Sequence, residues 1–153
     1  MEQGTRTFLT GFFLLMLLLG ARLSGETISA LPDSLVKAEF HLSAFGVESD
    51  DYPSIDVFID FSKDSSYCHK WYYNPAYKDS VYQLSNNEIQ KIRALILASD
   101  SLQLNQKLHA LTASDQPSAK STIYFTHSKD FTYDYGLKAE APLSSIYKIA
   151  FKF

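Results

Sequence analysis

The sequence predicts a single α+β domain, in which an antiparallel sheet of about five strands packs one face against one main helix and a short C-terminal helix. Three features favour this class. A capped amphipathic segment spans residues 85–99, and the segments around it alternate apolar and polar residues with the period of a β-strand. The chain also lacks the repeated strand–helix–strand order of a doubly wound sheet. An aromatic content of 14% further favours a β-rich body, because flat side chains pack well on pleated surfaces.

Length and composition limit the class of protein. A chain of 153 residues, 46% of them hydrophobic and 20% charged, is expected to fold as one globular domain behind a targeting segment. Its net charge of −3 is small and gives no electrostatic signature of binding to nucleic acid or to an anionic membrane surface. We therefore expect no nucleic acid among its partners.

The N-terminus predicts export. A short N-terminal segment containing Arg6 precedes an apolar run over residues 8–19, and small residues follow this run. This is the three-part order of a signal peptide. The run is short for a membrane span. We expect residues 1–25 to be the signal, cleaved after Ala21 or Gly25. The chain would then meet the membrane only transiently and reach the periplasm or the extracellular space. The alternative is a domain that an uncleaved signal anchors in the membrane.

The first half of the predicted domain is made of strands. Residues 26–35 form a polar, flexible lead, and residues 36–153 form the domain. Residues 36–45 alternate as a half-buried strand, and residues 55–61 and 67–73 form a hairpin. The apolar positions of the first two strands are Val36, Ala38, Phe40, Leu42, Ala44, Ile55, Val57, Ile59 and Phe61, opposite a polar face that also holds Phe58.

The main helix has a complete set of N-terminal signals. Ser85 is a good N-cap, Glu88 completes a capping box with it, and Leu84 and Ile89 occupy the positions of a hydrophobic staple. A short extended piece over residues 80–84 leads into it. The apolar face of the helix comprises Ile89, Ile92, Leu95, Ile96 and Ser99. The strand residues that we expect to be buried against this face are Phe40, Leu42, Val57, Ile59 and Ile123.

The second half repeats strands and then a helix. Residues 103–118 are irregular, with a helical turn or two at most. Residues 119–126 and 130–135 form a second hairpin, which Gly136 ends. Pro142 suits the first turn of a helix. The apolar positions of that short helix are Leu143, Ile146, Tyr147 and Ala150.

Residues that could support catalysis or metal binding do not assemble into a known pattern. Cys68 and His69 are adjacent on a strand and therefore point to opposite faces, so we expect a buried, structural cysteine. The four histidines lie far apart, and the acidic turn over residues 48–51 lacks the glycine and the closing glutamate of a calcium loop. We predict no catalytic set, no metal site and no cofactor.

A cluster of aromatic residues near the end of the third strand is the best candidate for a binding patch. Alternation places Tyr72 on the face of Cys68 and Trp71 on the opposite face, so one aromatic face is a candidate for exposure to a glycan or a partner protein. The alternative is ordinary packing in the sheet. The members of this patch are Trp71, Tyr72, Tyr73, Tyr77 and Tyr82.

These observations favour a non-catalytic binding or structural module. The alternative is a small secreted enzyme, hydrolase-like, whose site is not visible in the sequence. A histidine next to a carboxylate in a pocket would favour the enzyme, and a flat aromatic patch over a solid core would favour the binding module.

The layout also resembles a family of exported proteins of unknown function from Bacteroidetes-type bacteria, over roughly residues 36–150. The shared features are a strand pair, a helix opened by Ser-x-x-Glu, and an Asp-x-Pro-Ser segment that leads into a strand. The matching residues are Ser85, Glu88, Asp115, Pro117, Ser118 and Ile123. This chain lacks the paired-cysteine segment that many of those domains carry. The resemblance implies an exported α+β domain and carries no activity, cofactor or partner with it.

Overall fold

The structure, a computed structural model, describes residues 33–43, 52–108 and 116–152. The predicted signal over residues 1–25 and Asp115 of the Asp-x-Pro-Ser segment lie outside the described residues. No helix within the described ranges is long and apolar enough to cross a membrane. The elements are β1 (Leu35–Ser43), β2 (Pro53–Asp60), β3 (Ser65–Tyr72), β4 (Ser80–Tyr82), α1 (Asn86–Leu97), α2 (Ser101–Leu104), β5 (Lys107–Leu108), β6 (Ser118–Phe125), β7 (Lys129–Tyr135) and α3 (Leu143–Ala150).

The strands form one mixed sheet of seven, in the order β4-β3-β2-β1-β6-β7-β5. All neighbours run antiparallel except β5, which pairs in parallel with β7. The α+β class and both predicted hairpins are confirmed. The expectation of about five antiparallel strands is wrong, because the two edge strands β4 and β5 have only three and two residues and are too short to show a period.

One face of the sheet carries the apolar core. The five strand residues expected to face the helix are all buried, which confirms the predicted faces of β1, β2 and β6; they are Phe40, Leu42, Val57, Ile59 and Ile123. Val36, expected on this face, is 40% exposed. The pairing of β1 with β6 shifts register between Leu35 and Lys37, and this irregularity brings Leu35 against the core in place of Val36.

The helix α1 covers the sheet as the sequence predicts. The Ser85 side chain accepts a hydrogen bond from the Glu88 amide, and the Glu88 carboxylate accepts from the Ser85 amide at 2.7 Å, which completes the capping box. The helix buries Ile89, Ile92 and Ile96 in the core. The apolar face of α1 therefore determines which face of the sheet is shielded from water.

The helix α3 packs beside α1 on the same face. Tyr147 packs edge-to-face on Phe40 with ring centres 6.4 Å apart, and the Tyr82 hydroxyl donates to the Ala150 carbonyl at 2.9 Å. Lys152, just after α3, forms an ion pair with Glu88. Its hydrogen bond, followed by the backbone bond from Ser85, lowers the pKa of Glu88 to about 2. The C-terminal helix is thus tied to the N-terminus of α1.

The face of β7 that points toward the helices carries buried polar residues, and one of them positions the loop before α3. The fully buried Asp134 carboxylate accepts from the Lys138 amide at 2.6 Å and from the Ala139 amide at 2.9 Å. The loop can turn there because Gly136 and Leu137 adopt positive φ, 85° and 52°. These bonds satisfy buried polar oxygens and set where α3 begins.

Replacing Ile92 by Asp tests this core. The Ile92→Asp variant should unfold, because it removes a fully buried side chain and leaves an unpaired carboxylate in the core, at a cost of about 4 kcal/mol or more. Urea unfolding followed by circular dichroism measures the loss. Ala94→Asp is the matched control on the exposed side of α1, with an expected loss of about 1 kcal/mol. Equal, small losses for both variants would contradict the proposed packing.

Candidate functional site

The face of the sheet that points away from the three helices, here called the outer face, is the most distinctive surface of the described residues. It carries the alternate residues of every long strand, and these combine charges with many aromatic rings. Its principal residues are Lys37, Glu39 and His41 on β1; Asp56, Phe58 and Asp60 on β2; Tyr67, His69 and Trp71 on β3; Lys120, Thr122 and Tyr124 on β6; and Phe131 and Tyr133 on β7.

Charged side chains run along the middle of the outer face on β1. Lys37 Nζ lies 2.9 Å from Glu39 Oε1, and the Tyr124 hydroxyl donates to Glu39 Oε2 at 3.1 Å. Lys37 also stands 4.1 Å from the centre of the Tyr124 ring. The hydrogen bond with Glu39 raises the pKa of Lys37. These contacts orient the polar groups in the absence of any ligand.

Two aromatic rings project beside this charged strip and form what we call the aromatic shelf. Phe58 and Tyr67 pair directly across β2 and β3, and their ring centres lie 6.4 Å apart with the planes inclined at 33°. Phe58 is 47% exposed and Tyr67 is 50% exposed. The shelf adjoins a groove of about 410 Å³, which is lined on its polar side by Lys37, Glu39, Asp60, Ser62 and Ser65.

A tight turn fixes the Asp60 carboxylate in the lining of this groove. Ser62 donates to Asp60 Oδ1 twice, from its hydroxyl at 2.5 Å and from its amide at 3.0 Å, and Lys63 lies 3.0 Å from Asp60 Oδ2. The Ser62 hydroxyl, followed by Lys63, lowers the pKa of Asp60 to about 2. The groove therefore has a charged, oriented acceptor at any pH near neutral.

His41 and Asp56 form a hydrogen-bonded pair on the outer face. His41 Nδ1 lies 2.5 Å from Asp56 Oδ1, and the two side chains are 38% and 31% exposed. On the neighbouring strand, His69 Nε2 lies 3.9 Å from Asp79 Oδ2. The His41–Asp56 pair is suited to orient an imidazole, and neither residue lines the groove.

The residues of the predicted aromatic patch are divided among different surroundings. Trp71 lies on the outer face and is half-buried, whereas Tyr72 stacks on Tyr77 with ring centres 5.0 Å apart. Tyr73 is 79% exposed. Tyr82 turns toward α3, where burial raises its pKa and its hydroxyl is bonded. The structure therefore does not bring all five together, and their role in binding stays a prediction.

Cys68 lies on the core face, as expected for a structural cysteine. It is fully buried and free, and burial raises the pKa of its thiol to about 11. His69 faces the other way, on the outer face. The thiol is thus protonated and shielded, which leaves it unsuited to nucleophilic chemistry.

The aromatic shelf was not among the candidate residues that the sequence identified. The signal was present, because alternation places Phe58 on the same face as Asp56 and Asp60, where an aromatic ring has no core to join. Its partner Tyr67 becomes visible only with the register of the hairpin.

Comparisons with known proteins add no further assignment. No family model, curated protein or solved structure matches the chain. Within the described ranges, no group of three or more His, Cys, Asp or Glu side chains is placed to hold a metal ion.

Proposed function

We propose that the chain is an exported, non-catalytic binding module that holds its partner on the outer face. The aromatic shelf is the observation that supports this proposal. Burial of a Phe side chain stabilises a protein by roughly 1.5–3 kcal/mol relative to leaving it exposed, and Phe58 and Tyr67 leave about half of that surface in water. A partner that covers the shelf recovers this free energy on binding.

Export is supported by the signal-like N-terminus over residues 1–25. The burial of Cys68 is consistent with an oxidising compartment, because no described thiol is left at the surface to form unwanted disulfides. The periplasm and the extracellular space both satisfy these conditions.

Photo-crosslinking in the native host tests the binding surface. We expect a benzophenone amino acid placed at Tyr67 or Phe131, on the outer face, to form covalent adducts with a partner, since both side chains are exposed. The matched control is the same amino acid at Lys91, on the exposed side of α1, which should give none. Adducts from position 91 alone, or from no position, would overturn the proposal.

A secreted hydrolase is the second candidate, and the His41–Asp56 pair is the observation that favours it. A carboxylate that holds Nδ1 orients the imidazole as in a general base, with Nε2 directed to a substrate. The pair sits on an open sheet face, however, where water has access and catalytic groups gain little from a low dielectric.

Replacing His41 by Gln separates the two functions. The binding module predicts that the purified chain hydrolyses neither p-nitrophenyl acetate nor labelled casein above the buffer rate, and that His41→Gln changes nothing. Release of product by the wild type, abolished in His41→Gln while the fold persists by circular dichroism, would refute the non-catalytic proposal.

A further inference from the structure

The groove beside the aromatic shelf has the chemistry of a sugar-binding subsite. We infer that it binds a neutral oligosaccharide, with the shelf stacked on a sugar ring and the bordering polar side chains bonded to sugar hydroxyls. This inference rests on the proposed function, because it names the partner class for part of the same outer face.

The shelf supplies the apolar half of the recognition. A pyranose ring presents a face of C–H groups, and the negative face of an aromatic ring attracts such polarised C–H groups. Phe58 and Tyr67 lie directly opposite each other on hydrogen-bonded strands, so the backbone fixes their spacing before a ligand arrives. Little conformational entropy is lost when the rings are covered.

The polar half comes from two anchored carboxylates. Glu39 accepts one bond on each oxygen, from Lys37 and from Tyr124, and a carboxylate offers about four acceptor sites. Asp60, held by Ser62 and Lys63, is the second carboxylate that lines the groove. Sugar hydroxyls both donate and accept, so they can use the spare acceptor sites on the carboxylates together with the serine hydroxyls and the Lys37 ammonium.

The charge balance selects a neutral ligand. The carboxylates of Glu39 and Asp60 are each paired with a lysine, Lys37 and Lys63, so neither sign dominates. An acidic ligand would gain no net attraction from these paired charges. An apolar peptide side chain would displace water from the carboxylates without replacing the hydrogen bonds that the water made. Hydroxyl groups replace those hydrogen bonds. The volume of about 410 Å³ falls in the range of small-molecule sites, about 300–1,000 Å³.

Calorimetric titration of the purified chain with neutral and acidic sugars tests the inference. Cellohexaose and maltohexaose are the neutral probes, and a hexamer of galacturonic acid is the acidic probe. At least one neutral probe should bind, and Phe58→Ala and Tyr67→Ala should each weaken that binding by about tenfold through loss of stacking. Phe58→Trp should retain binding.

Phe131→Ala is the matched control, because it removes the same side chain from the same face at a position outside the groove. It should leave sugar affinity unchanged. Thermal unfolding of every variant checks that it is folded. If Phe58→Ala lowers stability, Tyr67→Ala measures the contribution of the shelf to sugar affinity independently.

The inference is overturned if neither neutral probe binds at about 1 mM, if the acidic hexamer binds more tightly, or if Phe58→Ala matches Phe131→Ala. Adducts from positions 67 and 131 to a protein, together with no sugar binding, would overturn the sugar inference alone. The absence of any outer-face adduct would instead overturn the proposed function.

Discussion

The burial of one sheet face under α1 and α3 is the constraint on which the rest of this structure depends. Ile92 and Ile146 are fully buried against that face, together with Phe40 and Val57. Because side chains alternate along a strand, each strand that buries one set of residues must present the other set on the outer face. The proposed binding surface is therefore a direct consequence of the core.

Local signals predicted most of the fold. The capping box of Ser85 and Glu88 identified α1, and alternation identified both hairpins, because each depends on residues close together in the chain. The extended piece predicted over residues 80–84 contains β4, but its pairing with β3 was not predicted, and neither was β5, since a pairing of two or three residues depends on the strand beside it. The exposure of Val36 likewise depends on an irregularity in the pairing with β6.

The candidate site was harder to predict because it is not local. The members of the predicted aromatic patch, from Trp71 to Tyr82, lie close together in the sequence, yet the fold packs Tyr82 against the core. The shelf joins Phe58 to Tyr67 across a hairpin, and Glu39 reaches the same groove from a third strand. Alternation could assign each of these residues to a face. Only the strand register could show that they adjoin.

Hydroxyl-radical footprinting read by mass spectrometry tests most directly whether the sheet has one dry face and one open aromatic face. We expect Phe58 and Tyr67 to be oxidised rapidly in the native chain, whereas Phe40 and Tyr147, which are at most 3% exposed, should be protected until the protein unfolds. Protection of Phe58 and Tyr67 to the same degree as Phe40 and Tyr147 would show that the outer face is covered and would contradict an exposed aromatic shelf.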